Sequence, residues 1–227
     1  MNEILVFAHN YLVNDWFDIV QDQLNLLLSK GLYDVSHKIY YCAYSSDMFQ
    51  IYKFIDLIKK LDTKNKINII VHPYNDGEKN TIILLQEICK SYENAFVLYY
   101  HAKGVTSIVH CDRVRRNIKS WREMLNYFNI EKWESSVLSL NNHDVFGVMR
   151  GEFSYPNTSE IKTIYPGNFW WARSSHINKL PDVKQLNNHS DLESLITSIP
   201  HSWANADMSY AGNIYERYFD PQEYRND

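Results

Sequence analysis

Glycine is scarce in this chain, with seven in 227 residues, and proline and cysteine are scarcer still at six and three. That poverty excludes collagen-like and Pro/Gly-rich disordered classes. The cysteines, Cys42, Cys89 and Cys111, are odd in number and far apart. They suggest neither a disulfide framework nor a zinc knuckle, and they fit a reducing compartment. A basic excess is also missing. The net charge of −4 argues against general nucleic-acid binding and leaves room for a local cationic site. Long apolar runs are absent. Ile4 to Ala8 is too short for a signal peptide or a membrane span, and Met1-Asn2-Glu3 carries no basic stretch. The expectation is a soluble, cytoplasmic protein with no transmembrane segment. Missing too are G-x-G-x-x-G, Walker A, G-x-S-x-G, H-E-x-x-H and any Asp-x-Asp triplet. This disfavours a classical dinucleotide dehydrogenase, a P-loop NTPase, an α/β-hydrolase and a zincin.

What is abundant is aromatic. Tyr, Phe and Trp make up 15% of the chain, led by 17 Tyr. Hydrophobic residues at 45% and charged residues at 22% describe an ordinary globular protein. A chain of this length forms one domain and buries roughly 70% of its unfolded surface without a metal or disulfide staple.

The first hundred residues repeat a short apolar run followed by an amphipathic stretch. Strands are expected at Ile4–Ala8, Lys38–Ala43, Ile67–Val71 and Ala95–Tyr100. Helices are expected at Asp15–Lys30, closed by Gly31, at Asp47–Leu61, capped by Asp47, and at Glu78–Ser91. Alternation of this kind implies parallel strands with right-handed crossovers. The fold class is therefore α/β: one Rossmann-type domain with a mainly parallel central sheet flanked by helices. Ligands in such sheets bind beyond the carboxyl ends of the strands. That rule marks Ala8-His9-Asn10, Tyr44-Ser45-Ser46, His72-Pro73 and His101-Ala102-Lys103-Gly104. Farther on, Arg113–Tyr127 and Ile130–Leu140 read as helices, Asp144–Met149 as a strand, and 150–165 as a hairpin or loop. Gly167–Arg173 is aromatic, Asp191–Ile199 a short helix, and the tail from Ser202 has no assignment.

Three segments carry candidate chemistry, each with a plainer alternative. In Tyr99-Tyr100-His101-Ala102-Lys103-Gly104, imidazole and ammonium groups at a strand end can neutralise a diphosphate, and Gly104 permits a tight turn. A solvated loop fits those residues equally well. In Gly167-Asn168-Phe169-Trp170-Trp171-Ala172-Arg173, adjacent Trp residues on a strand face opposite ways. One ring can pack in the core while the other lines a sugar cleft, although an aromatic core strand is the commoner use. In Ser190-Asp191-Leu192-Glu193, the two acids point in different directions on a helix, so at most one faces a site as a general base. A capping Ser190 with first-turn acids explains them better from sequence alone. His37, His143, His176 and His189 show no ligand spacing and read as surface or core residues.

Taken in order, HAKG after the fourth strand, Trp121-Arg122 with Met124, Asp144-Val145-Phe146-Gly147, GNFWWAR, Leu180-Pro181 and Asp191-x-Glu193 resemble a group of GT-A-fold glycosyltransferase-like proteins. Its members occur in bacterial polysaccharide loci and large viruses. The resemblance covers roughly residues 95 to 200. It implies a GT-A-like mixed sheet, with residues 1–104 as the nucleotide-binding half and 105–227 as the acceptor-side half. It implies transfer of a sugar from a nucleotide-sugar donor, UDP-sugar favoured, to a glycan or other hydroxyl acceptor. Phe7, Ala8, His9 and Asn10 would meet the nucleotide. His101, Lys103 and Gly104 would lie beside the pyrophosphate, and Asn168, Trp170 and Trp171 would line the sugar and acceptor cleft. Glu193, with Asp191 as nearby substitute, would be the base of an inverting displacement. HAKG stands where the Asp-x-Asp metal triplet is usual, so cations would take over part of a metal's task. The alternative is a Mg²⁺ or Mn²⁺ ion held mainly by the diphosphate. A non-catalytic glycan- or nucleotide-binding module on the same fold is the competing reading. A nucleotidyltransferase ranks last, because His9 to Asn14 holds no glycine.

Overall fold

The computed structural model describes residues 2–154, 161–186, 188–206, 208 and 213–225. In the first half, β1 (Ile4–Tyr11), α1 (Trp16–Ser29), α2 (Leu32–Val35), β2 (Lys38–Tyr44) and α3 (Met48–Leu61) are followed by β3 (Ile67–Val71), α4 (Lys79–Cys89) and β4 (Phe96–His101). The second half holds α5 (Asp112–Asn126), α6 (Trp133–Ser139), β5 (Val145–Val148), β6 (Gly151–Ser154) and β7 (Ile161–Ile164). It continues with β8 (Trp170–Arg173), α7 (Ser174–Ile177), α8 (His189–Ser194), β9 (Trp203–Ala206) and α9 (Pro221–Tyr224).

Periodicity located the first-half elements to within a few residues. Gly31 takes a left-handed φ of 77° after α1, and the Asp47 carboxylate accepts from the Phe49 N–H at the start of α3, as the stop and cap signals require. Two second-half expectations need correcting. The stretch expected as one helix from Ile130 opens instead with a π-helical turn, Tyr127–Glu131, and becomes α-helical only at Trp133. The helix expected at Asp191–Ile199 starts at His189 and ends at Ser194, and a 3₁₀ turn, Leu195–Thr197, follows. In the polar segment 150–165, β6 and β7 pair antiparallel, and residues 155–160 between them lie outside the described residues. Of the unassigned tail, Trp203–Ala206 forms a strand and Pro221–Tyr224 a helical turn.

One seven-stranded sheet runs in the order β3-β2-β1-β4-β8-β5-β9. Its pairs are parallel except those of β8, which runs antiparallel to both β4 and β5. This is the mixed, mainly parallel α/β sheet of a Rossmann-type fold. Alternation along β1 sends Ile4, Val6 and Ala8 into a core with Leu24, Phe54 and Trp121. Leu5 and Phe7 enter a second core with Leu85, Ile177 and Leu192. Helices thus cover both faces, which is why the inner strands read as unbroken apolar runs. No helix among the described residues is long and apolar enough to cross a membrane.

Candidate functional site

From β1 the chain winds outward through β2 and β3, then returns to place β4 on the other side of β1. The crevice between the carboxyl ends of β1 and β4 is therefore a topological switch point. His9 and His101 are register partners there. A cavity of about 260 Å³ opens at this point, lined by His9, Tyr11, Glu78, His101, Lys103 and His189 among others. Because β8 is reversed, the residues that precede it, Gly167 and Asn168, arrive at the same sheet edge.

Three of the quoted sequence segments meet here. His101 Nε2 donates to the Gly167 carbonyl at 2.7 Å. A carbonyl only accepts, so Nε2 carries the proton and Nδ1 keeps its lone pair in the neutral ring. Arg122 Nη1 donates to the Lys103 carbonyl at 2.8 Å, and Lys103 Nζ lies 3.8 Å from the centroid of the Trp121 ring. Gly104 has φ +97°, and a Cβ there would stand 3.0 Å from Ile118 Cγ2 and 3.1 Å from Arg122 Nη1. Both the backbone conformation and the space therefore call for glycine. Burial lowers Lys103 to a pKa of about 8, against the pull of Glu193 and Glu78.

One residue of the cavity wall, Glu78, carries no signal in the sequence reading. Glu78 is 8% exposed and sits at the start of α4, but its carboxylate does not cap its own helix. Instead Oε2 accepts from the Tyr99 hydroxyl at 2.6 Å and from Asn168 Nδ2 at 2.7 Å. The Trp170 indole N–H donates to Asn168 Oδ1 at 2.9 Å, which fixes the orientation of the amide. Burial works to raise the Glu78 pKa, but His101, His9 and the Tyr99 hydroxyl outweigh it, so the group stays below the ordinary carboxylate range. His9 Nδ1 lies 2.8 Å from Thr81 Oγ1, which also meets His72 Nε2 at 3.1 Å. Burial, only partly offset by Glu78, lowers His9 to about 4 and moves His101 in the same direction. Near neutral pH the cavity therefore holds one carboxylate, two uncharged imidazoles and a mostly protonated ammonium. The strand-end rule had marked His72, the nearest signal to Glu78 in the sequence.

The structure corrects several expected placements. Phe7 and Ala8 are sealed in the cores on opposite faces of the sheet, and Phe7 stacks on Tyr40 at 4.7 Å; of that quartet His9, nearer the carboxyl end of β1, lines the cavity. Asn10 is fully buried, donates to the Cys42 carbonyl at 3.0 Å and leaves Oδ1 without a partner. Neither Trp lines an open cleft. Trp171 is 0% exposed and donates to the Asn129 carbonyl at 2.9 Å, while Trp170 stacks on Tyr99 at 5.1 Å. The two rings pack into opposite cores, as strand alternation demands. Asn168 is buried and meets the site through its hydrogen bond to Glu78. On α8 the two acids diverge. Asp191 pairs with Lys162 beside a separate cavity. Glu193 lies 3.6 Å from His189 Nε2 and acts electrostatically on Lys103 and His101. His189, expected as an ordinary histidine, lines the site. Among the described residues, no group of three or more His, Cys, Asp and Glu is placed to hold a metal ion.

No curated protein matches the chain. Among solved structures, a crystal structure of 4-diphosphocytidyl-2C-methyl-D-erythritol synthase is similar at 8% identity and a TM-score of 0.45, over 99% of this chain and 96% of that one. The family described as "Domain of unknown function (DUF8361)" matches residues 5–218, and the chain belongs to it.

Proposed function

We propose that the switch-point cavity transfers a sugar from a nucleotide-sugar donor, UDP-sugar favoured, to a hydroxyl acceptor. The observation that carries this reading is convergence. His101, Lys103 and Gly104 from the end of β4 line one cavity with the buried Glu78, and Gly167 and Asn168 from the approach to β8 hold His101 and Glu78 by hydrogen bonds. In this reading the Lys103 ammonium offsets the charge of the diphosphate, and the Gly104 turn lets backbone come close to it. The acceptor oxygen bonds to the anomeric carbon as the bond from that carbon to the diphosphate oxygen breaks. Glu193 takes the acceptor proton, and the nucleoside diphosphate leaves. The charge-neutralising groups named here are side chains of this chain, and no step is routed through a metal.

The test is thermal unfolding with UDP, GDP, dTDP and CMP at millimolar concentration. A ligand at a hundredfold excess over its Kd stabilises the native state by about 2.7 kcal/mol. The expected outcome is a clear rise in Tm with one diphosphate, and no shift across the panel overturns the reading. Binding without any transfer or donor hydrolysis favours the non-catalytic module.

A further inference from the structure

We infer that Glu78 is a substrate-binding carboxylate that accepts a hydrogen bond from a hydroxyl of the donor's sugar ring through Oε1. The inference rests on the transfer reading above and assigns the two ends of the donor within the cavity.

The two oxygens of the Glu78 carboxylate are used differently. Tyr99 and Asn168 both donate to Oε2. Among the described residues no group bonds to Oε1, and Oε1 is not one of the buried polar atoms cut off from solvent. It therefore opens on the cavity that Glu78 lines. A carboxylate buried to this degree is costly unless its lone pairs are satisfied, and Oε2 alone takes the protein's donors. The group is also rigidly held. Tyr99 is stacked on Trp170, and the Trp170 indole orients the amide of Asn168. Asn168 itself is fixed in a left-handed conformation at φ +54°. An acceptor fixed from behind in this way, with one face toward a cavity, is the arrangement that reads a ligand donor.

The chemistry then selects the ligand group. An ionised carboxylate only accepts, and it repels phosphate oxygen. Lys103 supplies a cation in the same cavity. The cavity thus has one acceptor-only wall and one cationic wall. A sugar diphosphate carries the matching pair, hydroxyl protons at one end and negative oxygens at the other.

The test compares bare and sugar-bearing nucleotides by calorimetry: UDP, GDP and dTDP against UDP-glucose, UDP-galactose, GDP-mannose and dTDP-glucose. Wild type is expected to bind one sugar nucleotide at least tenfold more tightly than its own bare diphosphate. Hydrogen bonds to charged groups are of this strength. Glu78→Gln keeps the shape but turns a donating amide toward the cavity. It is expected to lose that tenfold advantage while binding the bare diphosphate within about threefold of wild type. Asp191→Asn, beside a separate cavity, is expected to retain the advantage. An advantage kept by Glu78→Gln, lost equally in Asp191→Asn, or absent from wild type across the panel overturns the inference. Absence of all nucleotide binding overturns the transfer reading itself. If Glu78→Gln does not fold, wild type is measured with UDP-sugars carrying fluorine in place of each ring hydroxyl in turn. One position must then cost at least tenfold, and equal binding at every position overturns the inference.

Discussion

Lys103 carries its ammonium 3.8 Å from the centroid of the Trp121 ring, while the neighbouring Arg122 holds the Lys103 carbonyl. One helical dipeptide therefore fixes both the charge and the backbone of the loop after β4.

The lowered pKa of Lys103, about 8, gives the proposed nucleotide binding a direction with pH. Diphosphate affinity is expected to be full below pH 8 and to fall above it as the ammonium loses its proton. Stability of the free protein runs the other way. The folded pKa lies below the ordinary 10.5, so the Lys103 contribution to stability rises between pH 8 and pH 10.5. Titration calorimetry with UDP from pH 6.5 to 9.5 checks the first trend and urea unfolding the second. Lys103→Met is expected to abolish the fall and weaken binding at least tenfold. A Lys103→Met protein that still loses affinity above pH 8 contradicts the assignment.

The network around Glu78 predicts a rank order of stability. Asn168→Ala leaves both the Glu78 carboxylate and the Trp170 indole short of a partner and puts alanine at φ +54°. A cost of roughly 2–4 kcal/mol follows. Tyr99→Phe removes one bond to a carboxylate that keeps another donor, and roughly 1–2 kcal/mol is expected. Urea midpoints at constant m-value measure both, and the reverse order would show that Tyr99 rather than Asn168 carries the network.

Gly167→Ala tests the junction at the start of β8. Its φ is +92°, and the added Cβ would lie 2.6 Å from Leu125 Cδ1 and 3.2 Å from the Trp121 ring. Strain and overpacking together are expected to cost roughly 2–4 kcal/mol. The shift should also loosen the bond from His101 to the Gly167 carbonyl, visible as a changed His101 imidazole resonance. An unchanged Tm argues against the packing described.

Acid should unfold the protein through its buried imidazoles. The His9 pKa falls from 6.5 to about 4 on folding, so its contribution to stability is full above pH 6.5 and is lost as the pH falls toward 4. Linkage makes this about 2 kcal/mol between pH 7 and pH 5. His9→Gln is expected to flatten that limb of the stability curve, measured by calorimetric Tm across the same range.

The two acids of α8 separate function from structure. Asp191→Asn breaks a partly exposed pair with Lys162 and is expected to cost under about 1 kcal/mol and to leave the proposed sugar transfer unchanged. Glu193→Gln is expected to lower kcat at least a hundredfold, as loss of a general base does, with bare diphosphate affinity retained. Equal kcat losses in the two variants would remove Glu193 from its proposed role.

Periodicity and caps made the first-half elements legible, because those signals are local. Asp47 and Gly31 each act within a residue or two of their own position. The direction of β8 was not legible, since Trp170 and Trp171 alternate identically whichever way the strand runs. Glu78 was missed for the same reason of range. In the sequence it is a polar residue at a helix start, and only the sheet brings Tyr99 and Asn168 to it. Trp170, expected to line a sugar cleft, packs in the core and orients the buried Asn168 amide through its N–H. His189 carries no spacing signal, and it reaches the cavity through the placement of α8.

The reversed strand also sets when the site can exist. β1 to β4 can assemble through successive crossovers between neighbouring segments, whereas β8 reaches β4 across a long stretch of chain. Pairing at that sequence separation is slow, because loop closure precedes any gain. Glu78 and His101 therefore acquire their partners from the Gly167-Asn168 turn only when the last antiparallel strand docks. In refolding, the proposed nucleotide affinity should return with that docking step, after helix content has recovered.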